Sequence, residues 1–96
     1  MIELEYVKKH LHIESDDEDE VLESFIESAE ELICTYCNRT WNDFYNDYGK
    51  IPSSIKNAVS MIVGSLYRDR EGTSRVDIRV NPVLKAMVRP FKKISV

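Results

Sequence analysis

Apolar residues recur at helical spacing in two long stretches of the chain. In the first stretch, successive apolar residues are one or three positions apart; they are Val21, Leu22, Phe25, Ile26, Ala29, Leu32, Ile33, Tyr36 and Cys37. The second stretch repeats this spacing with Ile55, Ala58, Val59, Ile62, Val63, Leu66 and Tyr67. A broad apolar stripe of this kind is typical of a helix that buries one face. The pattern predicts two long amphipathic helices, over about residues 17–37 and 53–71.

Shorter elements are predicted around this pair. Apolar spacing predicts a short helix over about residues 4–11, and an Asn-Pro opening predicts another over about residues 82–89. The alternating segment TSRVDIRV predicts an extended arm near residues 73–80. The aromatic and acidic segment 38–50 is predicted as a loop or short extended excursion, whose rings pack over an edge of the core or meet a neighbouring chain. The fold class predicted is therefore all-α.

Composition places the chain among ordinary globular proteins. It has 96 residues, of which 43% are hydrophobic and 31% are charged, and a chain of this length forms one small core. No membrane span or signal peptide is expected, so the two cysteines are predicted to be reduced thiols. We therefore predict a single domain over residues 1–96, in which residues 73–96 are the arm and the C-terminal tail.

Charge is divided unevenly between the two halves of the chain. Residues 1–48 carry 14 acidic residues and 3 Lys or Arg, whereas residues 49–96 carry 3 and 10. This division of charge has two interpretations. The two halves form solvated faces of opposite charge, or they form surfaces through which copies of the chain stack head to tail. Head-to-tail contacts generate a ring when the rotation closes.

The most acidic segment lies just before the first long helix. Six carboxylates occupy the seven positions 14–20. A calcium loop here would need glycine at the position of Val21, so calcium binding is not predicted. Acidic residues in a first helical turn are favoured by the helix macrodipole. Two capping-box registers are present, Ser15 with Glu18 and Asp17 with Glu20, and the segment is predicted to start the helix.

Catalytic and metal-binding arrangements find little support. Cys34 and Cys37, with His10 and His12, supply four zinc-type ligands, but the cysteines lie along a helix and not in a knuckle. Both cysteines are predicted to behave as small hydrophobes. No serine or histidine belongs to a nucleophile pattern, and the chain has no phosphate-binding glycine loop. No enzymatic activity, cofactor or metal is predicted.

Nucleic-acid binding is weighed because the second half is basic. The exposed side of the second long helix is predicted to show mostly Ser, Asn, Met and Gly, so its basic residues form no groove-facing row. The sequence pI of about 5.1 also works against phosphate affinity. A small helical DNA-binding or DNA-packaging accessory protein is the alternative to an assembly protein.

The order of the elements resembles a known family. The first helix ends in VKKHLHIE, and the long helix closes on CTYCNRT; a Pro-initiated helix then ends in YRDRE, and LKAMVRPF completes the pattern. These motifs resemble those of the small head–tail connector (adaptor) proteins of tailed bacteriophages, over nearly the whole chain. Two segments depart from the family pattern: 41–50 is unusually aromatic and acidic, and the ending KKISV is basic.

The resemblance implies a non-enzymatic structural protein of a phage or prophage. About a dozen copies would form a ring beneath the portal protein, extend the DNA channel and offer a platform to the tail-proximal head-completion protein. DNA would pass through without sequence-specific binding. The implied location is the head–tail junction of the virion, reached from the host cytoplasm during assembly. The isolated subunit is expected to be able to stay monomeric, because an interface templated by a partner need not be strong alone.

Two contact surfaces are predicted. The subunit interface is expected to use the acidic face of the first long helix together with small and basic residues of the second; its residues are Glu23, Glu27, Glu30, Ser60, Gly64, Arg68 and Arg70. Gly64 costs a helix interior about 1 kcal/mol relative to alanine, which indicates close approach of another backbone. The portal-docking surface is expected to be Arg75, Arg79, Arg89, Phe91, Lys92 and Lys93. Deleting residues 91–96 is expected to weaken docking more than folding.

Overall fold

Helices make up the regular structure of the described chain. The computed structural model describes residues 2–68, 78 and 81–93. The helices are α1 (Leu4–Leu11), α2 (Asp19–Cys37), α3 (Trp41–Tyr48), α4 (Ser53–Arg68) and α5 (Pro82–Val88), with a 3-10 turn at Arg89–Phe91. No strand occurs within the described ranges. The all-α prediction is confirmed, and four of the five helices lie where the sequence predicted them.

Two predicted features lie outside the described residues. These are the last residues of the second long helix, 69–71, and the extended arm near 73–80 apart from Ile78. Ile78 is buried in the hydrophobic core.

Segment 41–48, predicted as a loop, is the helix α3, so that prediction is wrong. The Thr40 hydroxyl accepts a hydrogen bond from the N–H of Asp43 at 3.1 Å, and the Asp43 carboxylate accepts one from the N–H of Thr40 at 2.9 Å. Gly49 ends the helix with a φ of 73°. Asn, Asp and aromatic residues are modest helix formers, but this reciprocal cap satisfies two backbone donors, and Phe44 is fully buried. Capping and burial together outweigh propensity.

α1 runs parallel to α4. The Tyr6 hydroxyl donates to Oδ1 of Asn57 at 2.6 Å, and five residues further along α1 and seven further along α4 Leu11 meets Gly64. A Cβ built on Gly64 would lie 3.0 Å from Cδ2 of Leu11. The close approach predicted for Gly64 is therefore made, but by α1 of the same chain.

α2 runs antiparallel to α1. Near the end of α1, the Lys8 ammonium lies 2.7 Å from the Asp16 carboxylate and 2.8 Å from that of Asp19. Near its beginning, the N–H of Ile2 donates to the Glu30 carboxylate at 2.7 Å. The Lys8 side chain is only 6% exposed, and its hydrogen bonds to Asp16 and then Asp19 raise its pKa. A buried lysine is retained here because two carboxylates replace its water.

The acidic segment before α2 contacts α1 through Lys8. It does not form either of the two capping boxes predicted for the start of α2. The helix begins at Asp19, and its N-cap Glu18 makes no side-chain cap hydrogen bond. The Ser15 hydroxyl accepts instead from the N–H of Asp17, at 3.1 Å. The capping-box predictions are wrong, although Asp19 and Glu20 do occupy the first turn.

α4 is the central helix and packs against α1, α2 and α5. Of its sixteen residues, all described, only Ser53 and Arg68 are exposed. The side predicted to show Ser, Asn, Met and Gly to solvent is covered, because α1 lies on it. The largest fully buried side chains are Phe44, Leu22, Ile26, Ile33, Ile55, Ile62, Leu84, Val7, Val59, Val63, Val88 and Cys37. Each fully buried aliphatic side chain contributes about 1.5–3 kcal/mol.

Candidate assembly surfaces

α2 presents a row of carboxylates to solvent. Its members, which we call the acidic flank, are Glu20, Glu23, Glu27 and Glu31, and all four are exposed. They are three or four residues apart, so they lie along one side of the helix. Among the described residues, the ion pairs are those of Lys8 and Arg39, and neither includes this flank. The acidic flank is therefore uncompensated within the described part of the chain.

Glu30 differs from the other predicted interface glutamates. It is half-buried, and its carboxylate holds the N–H of Ile2. Burial is the largest influence on the Glu30 carboxyl and raises its pKa, against the hydrogen bond from Ile2. This residue anchors the start of the chain and lies apart from the acidic flank.

Beside the acidic flank, α2 exposes apolar side chains, which we call the apolar flank. Val21 is 40% exposed and Leu32 is 39% exposed. Phe25 and Tyr36 are half-buried and pack against the margin of the core, and the exposed Ser28 lies between them. Val21 and Leu32 are eleven residues apart, which is three helical turns, so they lie on one line along the helix.

The predicted interface residues of the second long helix separate into two groups. Ser60 and Gly64 are buried in the single chain, and the Ser60 hydroxyl donates to the carbonyl of Lys56 at 3.2 Å. Arg68 is exposed at the end of α4, and Arg70 lies outside the described residues. Gly64 packs against Leu11 of α1, Ser60 is buried, and neither lies on the exposed surface of the single chain.

The C-terminal segment 89–93 is folded onto the domain. The Phe91 ring packs edge-on against Tyr48, with the centroids 5.4 Å apart, and against Phe44 at 6.4 Å. The N–H of Lys93 donates to the carbonyl of Cys37 at 2.7 Å. The sequence assigned Phe91 to a partner, but its ring lies among the aromatic side chains of α3.

Arg39 ties this segment to α3. Its Nε donates to the carbonyl of Phe91 at 2.6 Å, and its guanidinium also pairs with the Asp47 carboxylate. The same group lies 5.4 Å from the centroid of the Tyr48 ring, within cation–π range. Arg39 is absent from the predicted contact residues, because its partners Asp47, Tyr48 and Phe91 lie at least eight positions away along the chain.

The basic side chains around this segment remain accessible. Arg89, Lys92 and Lys93 are exposed, and the Lys92 ammonium lies 5.0 Å from the Tyr36 ring centroid. Arg75 and Arg79 lie outside the described residues. The structure thus brings three of the predicted docking residues to the C-terminal end of α2, an end that has no basic residue in its own last turn.

α5 exposes a second apolar line, which we call the α5 stripe. It consists of Val83 and Ala86 of α5 and of Pro90 in the 3-10 turn that follows, and Val83 is 60% exposed. Leu84 and Val88 on the opposite side of α5 are buried. Lys85 and Arg89 border the stripe on one side.

The cysteines behave as core residues. The Cys37 thiol is fully buried and donates to the carbonyl of Val88 at 3.8 Å, and burial raises its pKa to about 11. Burial also raises the pKa of the half-buried Cys34. Within the described residues no group of His, Cys, Asp and Glu is arranged to hold a metal ion. The helices described here are all too short or too polar to cross a bilayer.

Comparison with protein families gives one match over most of the chain. The family model described as Phage gp6-like head-tail connector protein matches residues 1–90. Comparison with curated proteins and with solved structures gives no match.

Proposed function

The chain belongs to the phage gp6-like head-tail connector family, and on that basis we propose that it forms a ring beneath the portal protein and extends the DNA channel. Members of this family are structural proteins of the head–tail junction and assemble with other phage head and tail proteins. The family match over residues 1–90 is the observation that carries the proposal.

A ring needs two different surfaces on each copy, and the charge distribution supplies them. No ion pair among the described residues includes the acidic flank of α2, and Arg68, Arg89, Lys92 and Lys93 are exposed. Contact between the acidic flank of one copy and basic residues of the next is heterologous, and heterologous contacts form a ring when the rotation between copies closes. The same acidic surface repels a second acidic surface, which disfavours a two-fold dimer.

We propose that Lys92 and Lys93 face the portal protein. They lie on a segment that Arg39 and Phe91 hold in place, so the two ammonium groups are presented from a fixed backbone. Pre-ordered contact groups cost less entropy on binding than groups on a free tail. A net-negative channel would let DNA pass without sticking, because each phosphate that the protein neutralised would add salt-dependent affinity.

The proposal is tested by mass measurement of the protein, alone and with its portal protein, by sedimentation or native mass spectrometry. We expect a multi-subunit ring on the portal. The variant Glu23→Lys/Glu27→Lys should lose it, because the acidic flank changes sign. The matched control is Glu5→Lys/Glu14→Lys, which makes the same change at exposed acidic positions outside α2. Equal assembly of both variants would contradict the role of the acidic flank.

The alternative, a DNA-binding accessory protein, is distinguished from a connector by how its retention on DNA depends on salt concentration. The exposed basic residues at the end of α2 are the feature that favours it. A DNA binder that neutralises several phosphates loses affinity steeply as salt rises. We expect little retention on DNA at any salt concentration, and steep salt-dependent retention would favour the alternative.

A further inference from the structure

Within the described residues α2 and α5 each expose an apolar line, and we propose that the apolar flank of α2 in one copy packs against the α5 stripe of a second copy. This inference rests on the proposed ring and names the elements that meet in it. Val21 and Leu32 are exposed on α2, and Val83 is exposed on α5. Each line is a row of apolar side chains at helical spacing, so two such helices can pack along their lengths.

The charges beside the two apolar lines are opposite. The acidic flank borders the apolar flank of α2, whereas Lys85 and Arg89 border the α5 stripe. α5 contains no acidic residue, and α2 contains no basic one. Pairing α2 with α2 would therefore set carboxylates against carboxylates, and pairing α5 with α5 would set cations against cations. Contact between α2 and α5 brings opposite charges together, which fixes the choice of partner.

The position of the charges also fixes the orientation of the helices. A helix turns about 100° per residue. Viewed from the N-terminus of each helix, the charged residues lie on the same side of the apolar line in α2 and in α5. Two helices that face each other bring such same-side charges together when they run antiparallel. Leu32 is then placed near Val83 of the second copy, and Phe25, seven residues before Leu32, near Pro90, seven residues after Val83.

Disulfide cross-linking tests this contact at exposed positions. We expect an equal mixture of Ser28→Cys and Ala86→Cys proteins to give covalent dimers under mild oxidation, in a state where sedimentation shows self-association. The protein carrying both changes should give a ladder of covalent oligomers. Each single variant should give neither, as should the wild type with its own Cys34 and Cys37. Facing helices bring Cα atoms within the 7 Å or so that a disulfide requires.

A second pair of positions tests the antiparallel orientation. Leu32→Cys mixed with Val83→Cys should link efficiently, whereas Val21→Cys mixed with Val83→Cys should link poorly. Circular dichroism spectra that match the wild type show that the exposed substitutions leave the helices formed.

The remaining outcomes overturn distinct claims. Dimers of Ser28→Cys alone would show α2 on α2, and dimers of Ala86→Cys alone would show α5 on α5; either result overturns the proposed contact. Self-association without cross-links in any mixture overturns the contact and leaves the ring standing. Failure to self-associate at any concentration, alone or with tail-less phage heads, overturns the ring itself.

Discussion

Arg39 and Phe91 are joined by a hydrogen bond of 2.6 Å from Nε of the arginine to the carbonyl oxygen of the phenylalanine, across 52 positions of the chain. Both residues also contact α3, Arg39 through Asp47 and Phe91 through Phe44. The C-terminal segment is therefore part of the fold. The prediction that deleting residues 91–96 weakens docking more than folding stays a prediction, and the contacts of Phe91 predict a cost to folding as well.

Replacing Phe91 should destabilise the isolated domain. We expect Phe91→Ala to lower the free energy of unfolding by about 2 kcal/mol, less than the 3–5 kcal/mol typical of a fully buried phenylalanine, because the ring is half-buried. Urea denaturation followed by circular dichroism measures the difference. Lys93→Ala is the control, with an expected change within about 0.5 kcal/mol, since its side chain is exposed and its hydrogen bond to Cys37 is made by its backbone N–H. Equal stability of Phe91→Ala and wild type would mean that the ring does not hold the segment.

The cap of α3 should contribute measurably to stability. Thr40→Ala removes the hydroxyl that accepts from the N–H of Asp43, and loss of such a cap costs about 1 kcal/mol. The control is Thr35→Ala at an exposed position of α2, which should be neutral or slightly stabilising because alanine favours a helix interior. Thermal unfolding compares the two. A Thr40→Ala protein as stable as Thr35→Ala would show that the cap contributes nothing.

Gly64→Ala should reveal the contact with Leu11. Alanine in a helix interior is more stable than glycine by about 1 kcal/mol, but its Cβ would lie 3.0 Å from Cδ2 of Leu11. We expect the gain to be nearly cancelled in the wild type and to be recovered in a Leu11→Ala background. A double-mutant cycle in urea measures this coupling. Additive effects would indicate that the leucine moves aside at no cost.

The ion pair of Lys8 with Asp16 should make the free energy of unfolding depend on pH. A hydrogen bond and the positive charge of Lys8 lower the pKa of Asp16 below its ordinary 3.8. This contribution is therefore present above about pH 4 and is lost as the pH falls through the lowered pKa. We expect Asp16→Asn to be less stable than the wild type at pH 6, and the difference to shrink below pH 3.8.

Asp17→Asn is the control for this profile, because Asp17 is exposed and has no ion pair among the described residues. Melting temperatures between pH 2.5 and pH 7 give the three profiles. A constant difference between wild type and Asp16→Asn at every pH would exclude the ion pair as its source.

The thiols should be slow to react in the folded protein. Burial raises the pKa of Cys37 to about 11 and also raises that of Cys34, so little thiolate is present near pH 7.5. We expect an aromatic disulfide reagent to titrate Cys37 only after denaturation, and Cys34 slowly before it. Rapid reaction of both thiols in the native state would contradict the burial of Cys37.

The sequence predicted the parts of the fold that depend on periodicity. Helices α2 and α4 are long and have broad apolar stripes, and both lie within two residues of their predicted starts. α3 was missed because its residues are modest helix formers, although Thr40 followed three positions later by Asp43 carries a capping signal. The same kind of signal predicts a cap in the acidic segment before α2, but there the carboxylates of Asp16 and Asp19 bind Lys8.

The surface was harder to predict than the core. A mid-helix glycine indicates a close approach, but the sequence does not say whether the approaching residue belongs to the same chain. Leu11 does, so Gly64 and Ser60 are internal. The role of Arg39 depends on Phe91 and Asp47, and nothing local in the sequence links these three. The exposed positions of the acidic flank, by contrast, follow directly from the helical pattern.

The enclosed position of α4 determines how the domain comes apart. Because α1, α2 and α5 each cover a different part of α4, fraying of one outer helix exposes only the part that it covered, and the amide protons under the other two stay shielded. Exchange of those amides with deuterium should require global opening. A domain of this kind should unfold in one cooperative step when it is pulled, and not one helix at a time.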